Sequence, residues 1–221
     1  MLQKKKDLVY ILLAGFFITN AIMGEMIGGK LIQVGPFVLS IGIIPWPVVF
    51  ITTDLINEYF GKSGVRRLTF LTTGLILYAF VLLYLGIQSK AATFSPVGDE
   101  AFTKVFGQSM WIIVGSLTAF LTSQFVDVIV FWAIRKKTGH KLMWLRATGS
   151  TIVSQLIDTF IVAGIAFWLP GKITFSEYLN TTISGYTAKL LIAIGITPLI
   201  YVAHLLIDRY LASEHPVETG A

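Results

Sequence analysis

Cysteine is absent from the chain, which excludes disulfides, thiolate nucleophiles and thiolate metal sites. Charge is nearly as scarce. Only 13% of the 221 residues are charged, 55% are hydrophobic and mean hydropathy is +0.76, whereas soluble domains average about 25% charged residues. So few charges cannot build a water-facing surface. A very large aqueous core fails on size, because a domain of this length still exposes roughly a quarter to a third of its unfolded surface. Lipid must therefore cover much of the molecule. Histidine is limited to His140, His204 and His215, too scattered for a metal cluster. The net charge of +5 would suit nucleic acid in a soluble protein, but in a membrane protein basic residues collect in cytoplasmic loops. No nucleic-acid partner and no cofactor are expected.

What remains is apolar sequence in long runs. A bilayer core of about 30 Å needs roughly 20 helical residues, and six stretches qualify: Leu8–Gly28, Ile41–Phe60, Leu68–Gln88, Met110–Ile134, Ala147–Leu169 and Ile183–Ile207. The fold class expected is an all-α polytopic membrane protein. The first run resembles a signal peptide only superficially, being too long and lacking a small-x-small cleavage site, so it reads as a retained helix. Between the first two spans, Lys30 to Ser40 alternates around Gly35-Pro36 and suits a small surface hairpin. The segments Ser89–Ser109 and beyond Arg209 are too short to fold alone, so residues 1–221 read as a single integral membrane transporter domain.

Orientation follows from the basic residues. With the N-terminus inside, twelve fall on the cytoplasmic side: Lys4, Lys5, Lys6, Lys62, Arg66, Arg67, Arg135, Lys136, Lys137, Lys141, Arg146 and Arg209. Four fall outside, namely Lys30, Lys90, Lys104 and Lys172, and Lys189 stays within the sixth span. That asymmetry predicts N-in and C-in. Trp46, Trp111 and Trp168 then mark one interface, and Trp132 and Trp144 the other.

Polar side chains inside the spans carry the functional signal, because an ionised group in hydrocarbon costs about 2.5 kcal/mol or more. Asn20 and Glu25 lie on the first span. Asp54, Asn57 and Glu58 on the second are three and four residues apart and share a helical face. Gln124 and Asp127 lie on the fourth span and Gln155 and Asp158 on the fifth, each pair three apart, with Lys189 on the sixth. Glu25 and Glu58 sit near helix ends and could simply reach headgroups; Asp54 and Asp127 sit deeper, and Asp158 lies near a helix midpoint. Lys189 reads either as the counter-ion of one carboxylate or as part of the site. Five carboxylates against one embedded lysine cannot all be neutralised by pairing, so some must meet water, a ligand donor or a proton. Gly24-x-x-x-Gly28 reads as small-residue helix packing, while Pro45, Pro47 and Pro198 read as kinks.

Ser123-Gln-x-x-Asp127 and Ser154-Gln-x-x-Asp158 repeat 31 residues apart on oppositely running helices. Three spans per half also make the two halves opposite in topology, a 3+3 inverted repeat of the kind that places a transporter site at the midplane. Carboxylates accept and amides both donate and accept, which suits a small polar solute. Phe125, Phe131, Phe160, Tyr59 and Tyr186 are near enough in sequence to stack on a flat ring, although packing is their commoner use.

Three blocks carry a resemblance: Glu25-Met-Ile-Gly-Gly-Lys30, Thr53-Asp-Leu-Ile-Asn-Glu-Tyr-Phe-Gly-Lys62 and Ser154-Gln-x-x-Asp158. In order and across nearly the whole chain, they resemble the queuosine precursor transporter family, also described as a vitamin uptake transporter group. The Thr-Asp-Leu-Ile-Asn-Glu block is the specific part. The resemblance implies import of 7-cyano- and 7-aminomethyl-7-deazaguanine across the cell (inner) membrane for tRNA modification. Gln124, Asp127, Gln155, Asp158, Lys189, Asn20 and Phe160 are then candidates for contacting the base. Glu25, Asp54, Asn57 and Glu58 are candidates for gating or coupling. Expected partners are a nucleobase-like small molecule and the bilayer, with a homodimer left open. Two rival classes compete. A substrate-binding subunit of an energy-coupled vitamin importer would need a partner for ATP hydrolysis, since this chain has no Walker motif, and its first span lacks an Ala-x-x-x-Ala docking face. An intramembrane enzyme would need Gly-x-Ser-Gly or Gly-x-Gly-Asp within a span, and none of the six carries either.

Overall fold

A computed structural model describes residues 2–28, 30–35, 37–107, 110–139 and 142–212. His140, Lys141, His215 and Pro36 of the expected hairpin turn lie outside the described residues. The elements run α1 (Leu2–Ile27), β1 (Leu31–Val34), β2 (Phe37–Ser40), a 3-10 turn (Ile41–Ile43), α2 (Trp46–Gln88), α3 (Asp99–Phe106), α4 (Met110–Thr138), α5 (Met143–Ala163) and α6 (Phe175–Ala212). A π turn, Gly164–Trp168, prolongs α5.

Five segments are long and apolar enough to cross a membrane. Their burial pattern inverts that of a soluble protein. On α1, Val9, Phe17, Ala21 and Glu25 face inward, while Leu8, Ile11, Leu12 and Phe16 are exposed. Elsewhere Asp54, Asn57, Gln124, Asp127, Arg146 and Gln155 are buried and Leu, Ile and Phe side chains point out. Only hydrocarbon makes that arrangement favourable, because outward apolar groups lose nothing there and inward polar groups can find one another. The fold is an all-α, multi-pass membrane architecture.

The second long helix differs most from the sequence expectation. Residues 46–88 are continuous in hydrogen bonding except at Gly61, whose φ of +71° and ψ of −174° are not helical. At about 1.5 Å per residue a straight helix of that length would be roughly twice the bilayer core. Instead the two arms, 46–60 and 62–88, fold back on each other, and Ile56 lies beside Gly64. Tyr10 of α1 touches both sides of the reversal: its ring meets Phe60 edge-on and its hydroxyl donates to Gly64 O at 3.2 Å. Near the other end of α1, Gly24 abuts Pro45 and Trp46, while Ile22, Glu25 and Met26 adjoin Ile76, Ala79 and Phe80. The first arm therefore runs antiparallel to α1 and the second parallel to it. Residues 61–67, expected as a loop, are absorbed into helix because one glycine makes the turn.

The Lys30–Ser40 segment is the expected hairpin, with Leu31 paired to Ser40 and Val34 to Phe37. Ser40 secures it to α1 by donating to Gly28 O at 2.6 Å, and Gly24 leaves room for Trp46 and Pro45 against α1. The second apolar span starts at Ile41 as expected, with a 3-10 turn capped by Ser40, and its α-helix begins at Trp46. Two expectations need correction. Pro45 and Pro47 stand at the start of α2, where a missing N–H costs nothing, so they begin the helix and do not kink it. Pro198 does lie inside α6. The Ser89–Ser109 segment is not wholly loop, since it includes α3.

Gly61 generates a prediction. A Cβ there would approach nothing closer than 3.9 Å from Trp132, so substitution costs backbone strain alone, about 1–3 kcal/mol in this glycine-only region. Gly61→Ala should lower the thermal midpoint of the detergent-purified protein by roughly 2–10 °C. An unchanged midpoint would show that the reversal tolerates a side chain.

Candidate functional site

The polar side chains of α2, α4 and α5 converge because each helix repeats them at three- and four-residue intervals, which keeps them on one face. On α5 the face reads Arg146, Ser150, Ser154 and Asp158, a ladder of about 6 Å steps. The first three rungs are buried, Arg146 being 1% exposed. On α2 it reads Asp54, Asn57 and Glu58; on α4, Gln124, Asp127 and Arg135.

Together these faces make an interior polar layer. Asp127 Oδ1 accepts from Ser154 Oγ at 3.2 Å, joining α4 to α5, and Thr53 Oγ1 donates to Gln124 Oε1 at 3.5 Å, joining α2 to α4. Asp54 lies within electrostatic range of Asp127, Arg146 and Glu58. Among the described residues, neither oxygen of Asp54, neither amide atom of Asn57, nor Asp127 Oδ2 has a hydrogen-bond partner, though all are buried. Buried polar groups are ordinarily satisfied, and leaving one unmade costs about 1–3 kcal/mol. Such orphans on two facing helices equip the layer to bind something with hydrogen-bond donors.

Ion pairs bound the layer on both sides. Toward the end that gathers the starts of α1 and α5 and the ends of α4 and α6, Glu58 accepts from Arg146 at 2.9 Å and Arg135 at 3.3 Å. Arg146 also donates to Gly139 O at 3.1 Å and covers the Phe131 ring, and Arg135 covers Trp132. Toward the opposite end, Lys189 pairs with Asp158 at 2.8 Å, bridging α6 to α5. Glu25, bonded to Ser116 of α4, lies within electrostatic range of that pair.

These placements sort the residues singled out from sequence. Asp54, Asn57, Gln124 and Asp127 belong to the buried layer, Gln155 is buried on α5, Asp158 and Lys189 are each other's partner, and Glu58 is held by two arginines and does not reach for headgroups. Asn20 donates to Phe16 O on its own helix. Phe160 meets Tyr178 edge-on, Phe125 lies against Phe70, and Tyr186 bonds Ile152 O, so those aromatics are engaged in packing. The two Ser-Gln-x-x-Asp motifs do meet, through the aspartate of one and the serine of the other.

Arg146 is the chief residue that sequence reading misplaced. Starting the fifth helix at Ala147 left it among loop cations, but α5 starts at Met143, one turn earlier, and buries it. The signal was its position four and eight residues ahead of Ser150 and Ser154. A second cluster also went unread: the Tyr59 hydroxyl donates to Asp208 Oδ1 at 2.7 Å and lies 2.7 Å from His204 Nδ1, fastening α6 to α2. A Gly-x-Ser-Gly string does exist, at Gly61-Lys-Ser63-Gly64, but it forms the elbow of α2 at the basic end, and Ser63 is exposed there. His204 is held by Tyr59 and Asp208, so no serine–histidine pair is formed among the described residues.

Residues 40–203 match the family described as "Putative vitamin uptake transporter". A Bacillus subtilis protein named "Probable queuosine precursor transporter" is 32% identical over 182 residues, covering 81% of this chain and 78% of its own. The Escherichia coli protein named "Queuosine precursor transporter" is 28% identical over 158 residues, covering 69% and 66% respectively. A Haemophilus influenzae protein, also named "Probable queuosine precursor transporter", is 29% identical over 128 residues, covering 58% and 51%. No solved structure matches the chain.

The Glu58–Arg146 contact sets a stability test. Breaking a buried pair by removing one partner typically costs about 3–5 kcal/mol. Arg146→Met should therefore destabilise the purified protein strongly, and adding Glu58→Gln should recover much of the loss. Independent, additive losses would mean that the pair does not support the fold as a unit.

Proposed function

We propose, since the chain belongs to the vitamin uptake transporter family, that it imports queuosine precursors, the 7-cyano- and 7-aminomethyl-7-deazaguanines, across the cell (inner) membrane. The observation that carries this reading is the interior layer in which Asp54, Asn57 and Asp127 keep buried hydrogen-bonding atoms without partners. A guanine-like edge offers a ring N–H beside an exocyclic amine, which one carboxylate accepts as a bidentate pair, and an amide can serve the neighbouring carbonyl. A second carboxylate suits the cation of the aminomethyl form. In this reading Gln124, Asp127, Gln155 and Asp158 face the base, with Asp54 and Asn57 beside them.

The same reading takes the two flanking ion-pair groups as gates: Glu58 with Arg146 and Arg135 on one side of the layer, Asp158 with Lys189 and Glu25 with Ser116 on the other. It counts six crossings, because the arms of α2 run in opposite senses along α1. The described basic residues at the starts of α1 and α5 and the ends of α4 and α6, together with the Gly61 elbow, support N-in and C-in. With three crossings on each side of α3, the halves are inverted, as the midplane plan requires. Family membership supports a carrier over an intramembrane enzyme.

Uptake by the protein alone in proteoliposomes tests the proposal and separates a self-sufficient carrier from a subunit that needs an ATP-hydrolysing partner. Labelled deazaguanine should enter vesicles containing only this chain. Removing a partner from a buried charged hydrogen bond costs about 2–5 kcal/mol, so Asp54→Asn, Asp127→Asn and Asp158→Asn should each cut uptake at least tenfold with normal membrane insertion. Wild-type uptake by all three would remove the layer from the substrate path.

Across the layer and its flanks, Glu25, Asp54, Glu58, Asp127 and Asp158 outnumber the cations Arg135, Arg146 and Lys189, a net negative charge that a co-transported proton would offset. Uptake should then depend on pH. Accumulation above equilibrium under an imposed pH gradient, abolished by an uncoupler, is the outcome expected of proton coupling. Equal final levels under every gradient would identify a facilitated carrier.

A further inference from the structure

A groove of about 500 Å³ lies at the basic end of the bundle, between the first turns of α1 and the Gly61 elbow of α2, far from the polar layer. Lys6 and Arg67 line it, and neither has an ion-pair or hydrogen-bond partner among the described residues. Its one carboxylate, Asp7, accepts from Gln3 Nε2 at 3.1 Å, so two cations face one engaged anion. The hydroxyl of Ser63 adds a donor, and Ile11 and Phe60 form an apolar floor. The polarity is graded along the bundle. Phe70 and Leu71 follow Arg67 by three and four residues on the same face, and Ile11 follows Asp7 by four; these are 57%, 55% and 64% exposed. Cations thus stand at the end of the helices, and uncovered apolar side chains run from them toward the middle.

From this juxtaposition we infer that the groove is a binding site for the phosphate headgroup of an anionic phospholipid. The phosphodiester sits between Lys6 and Arg67, Ser63 donates to it, and the acyl chains lie along Ile11, Phe70 and Leu71. Basic pockets between membrane helices are the expected receptors for such headgroups. A soluble phosphate would use the same cations but gain nothing from the apolar track, so lipid is the source the geometry favours. A lipid seated there would brace α1 against the elbow that turns α2.

Purified protein incubated with equal amounts of phosphatidylglycerol and phosphatidylcholine, with bound lipid counted by native mass spectrometry, tests this; a parallel sample receives glycerol 3-phosphate alone. Each cation near the surface contributes about fivefold in binding. Wild type should therefore retain one phosphatidylglycerol over phosphatidylcholine by roughly twentyfold. A Lys4→Gln/Arg66→Gln control, altering neighbouring cations outside the groove, should keep that preference. Lys6→Gln/Arg67→Gln should lose it, and Lys6→Arg/Arg67→Lys should restore it. Equal retention of the two lipids, survival of the preference in Lys6→Gln/Arg67→Gln, or equal loss in the control would overturn the site. Equivalent binding of glycerol 3-phosphate would overturn its assignment to lipid.

Discussion

Burying charge in a medium without water is the constraint around which this protein is arranged. Glu58 and Arg146 meet at 2.9 Å between α2 and α5, and Arg146 is almost wholly enclosed. Neither group could stay ionised alone at that depth without a penalty of several kcal/mol. Their contact ties α2 to α5, two helices that otherwise meet mainly through α4. The Gly139 carbonyl also accepts from the guanidinium and secures the turn between α4 and α5 to the same point. Glu58 thus links α2, α4 and α5 at one point, through Arg135 and Arg146.

The middle layer differs from the ends in a way that suits a carrier. Each end pairs its charges, Glu58 with two arginines and Asp158 with Lys189. Between them Asp54, Asn57 and Asp127 keep unanswered hydrogen-bonding capacity. A purely structural network would gain by closing those bonds, since a half-satisfied buried network is less stable than an apolar core. Charge-paired flanks around a centre with unused hydrogen-bonding capacity are consistent with the site proposed above.

Gly61 illustrates how sparingly the backbone makes this possible. Without it the 43-residue α2 would be one rod too long for a bilayer; with it, Asp54, Asn57 and Glu58 sit within two turns of a sharp reversal. Asp54 and Asn57 thereby stay inside the bundle, while Lys62, Arg66 and Arg67 return to the basic end. Local glycine geometry and long-range charge burial thus act on the same short stretch of chain.

The sequence by itself determined the solvent. Scarce charge and long apolar runs permit only a helical membrane protein, because in hydrocarbon the backbone must satisfy its own hydrogen bonds within each segment. It also determined which side chains are anomalous, since Asp54, Asn57, Gln124, Asp127, Gln155 and Asp158 stand out wherever the surroundings are apolar, and the Gly35 hairpin was legible from its alternation. Only the tertiary structure decided partners. Spacing places a carboxylate on a helical face but carries no information about which helix that face meets, so the choice of Arg146 for Glu58 and of Lys189 for Asp158 could not be read. Helix ends were decided there too. Arg146 looks like a loop cation until α5 is seen to begin one turn earlier, and residues 61–67 look like a loop until a single glycine turns the chain. Each of these depends on burial between helices distant in sequence, an energy that no local pattern records.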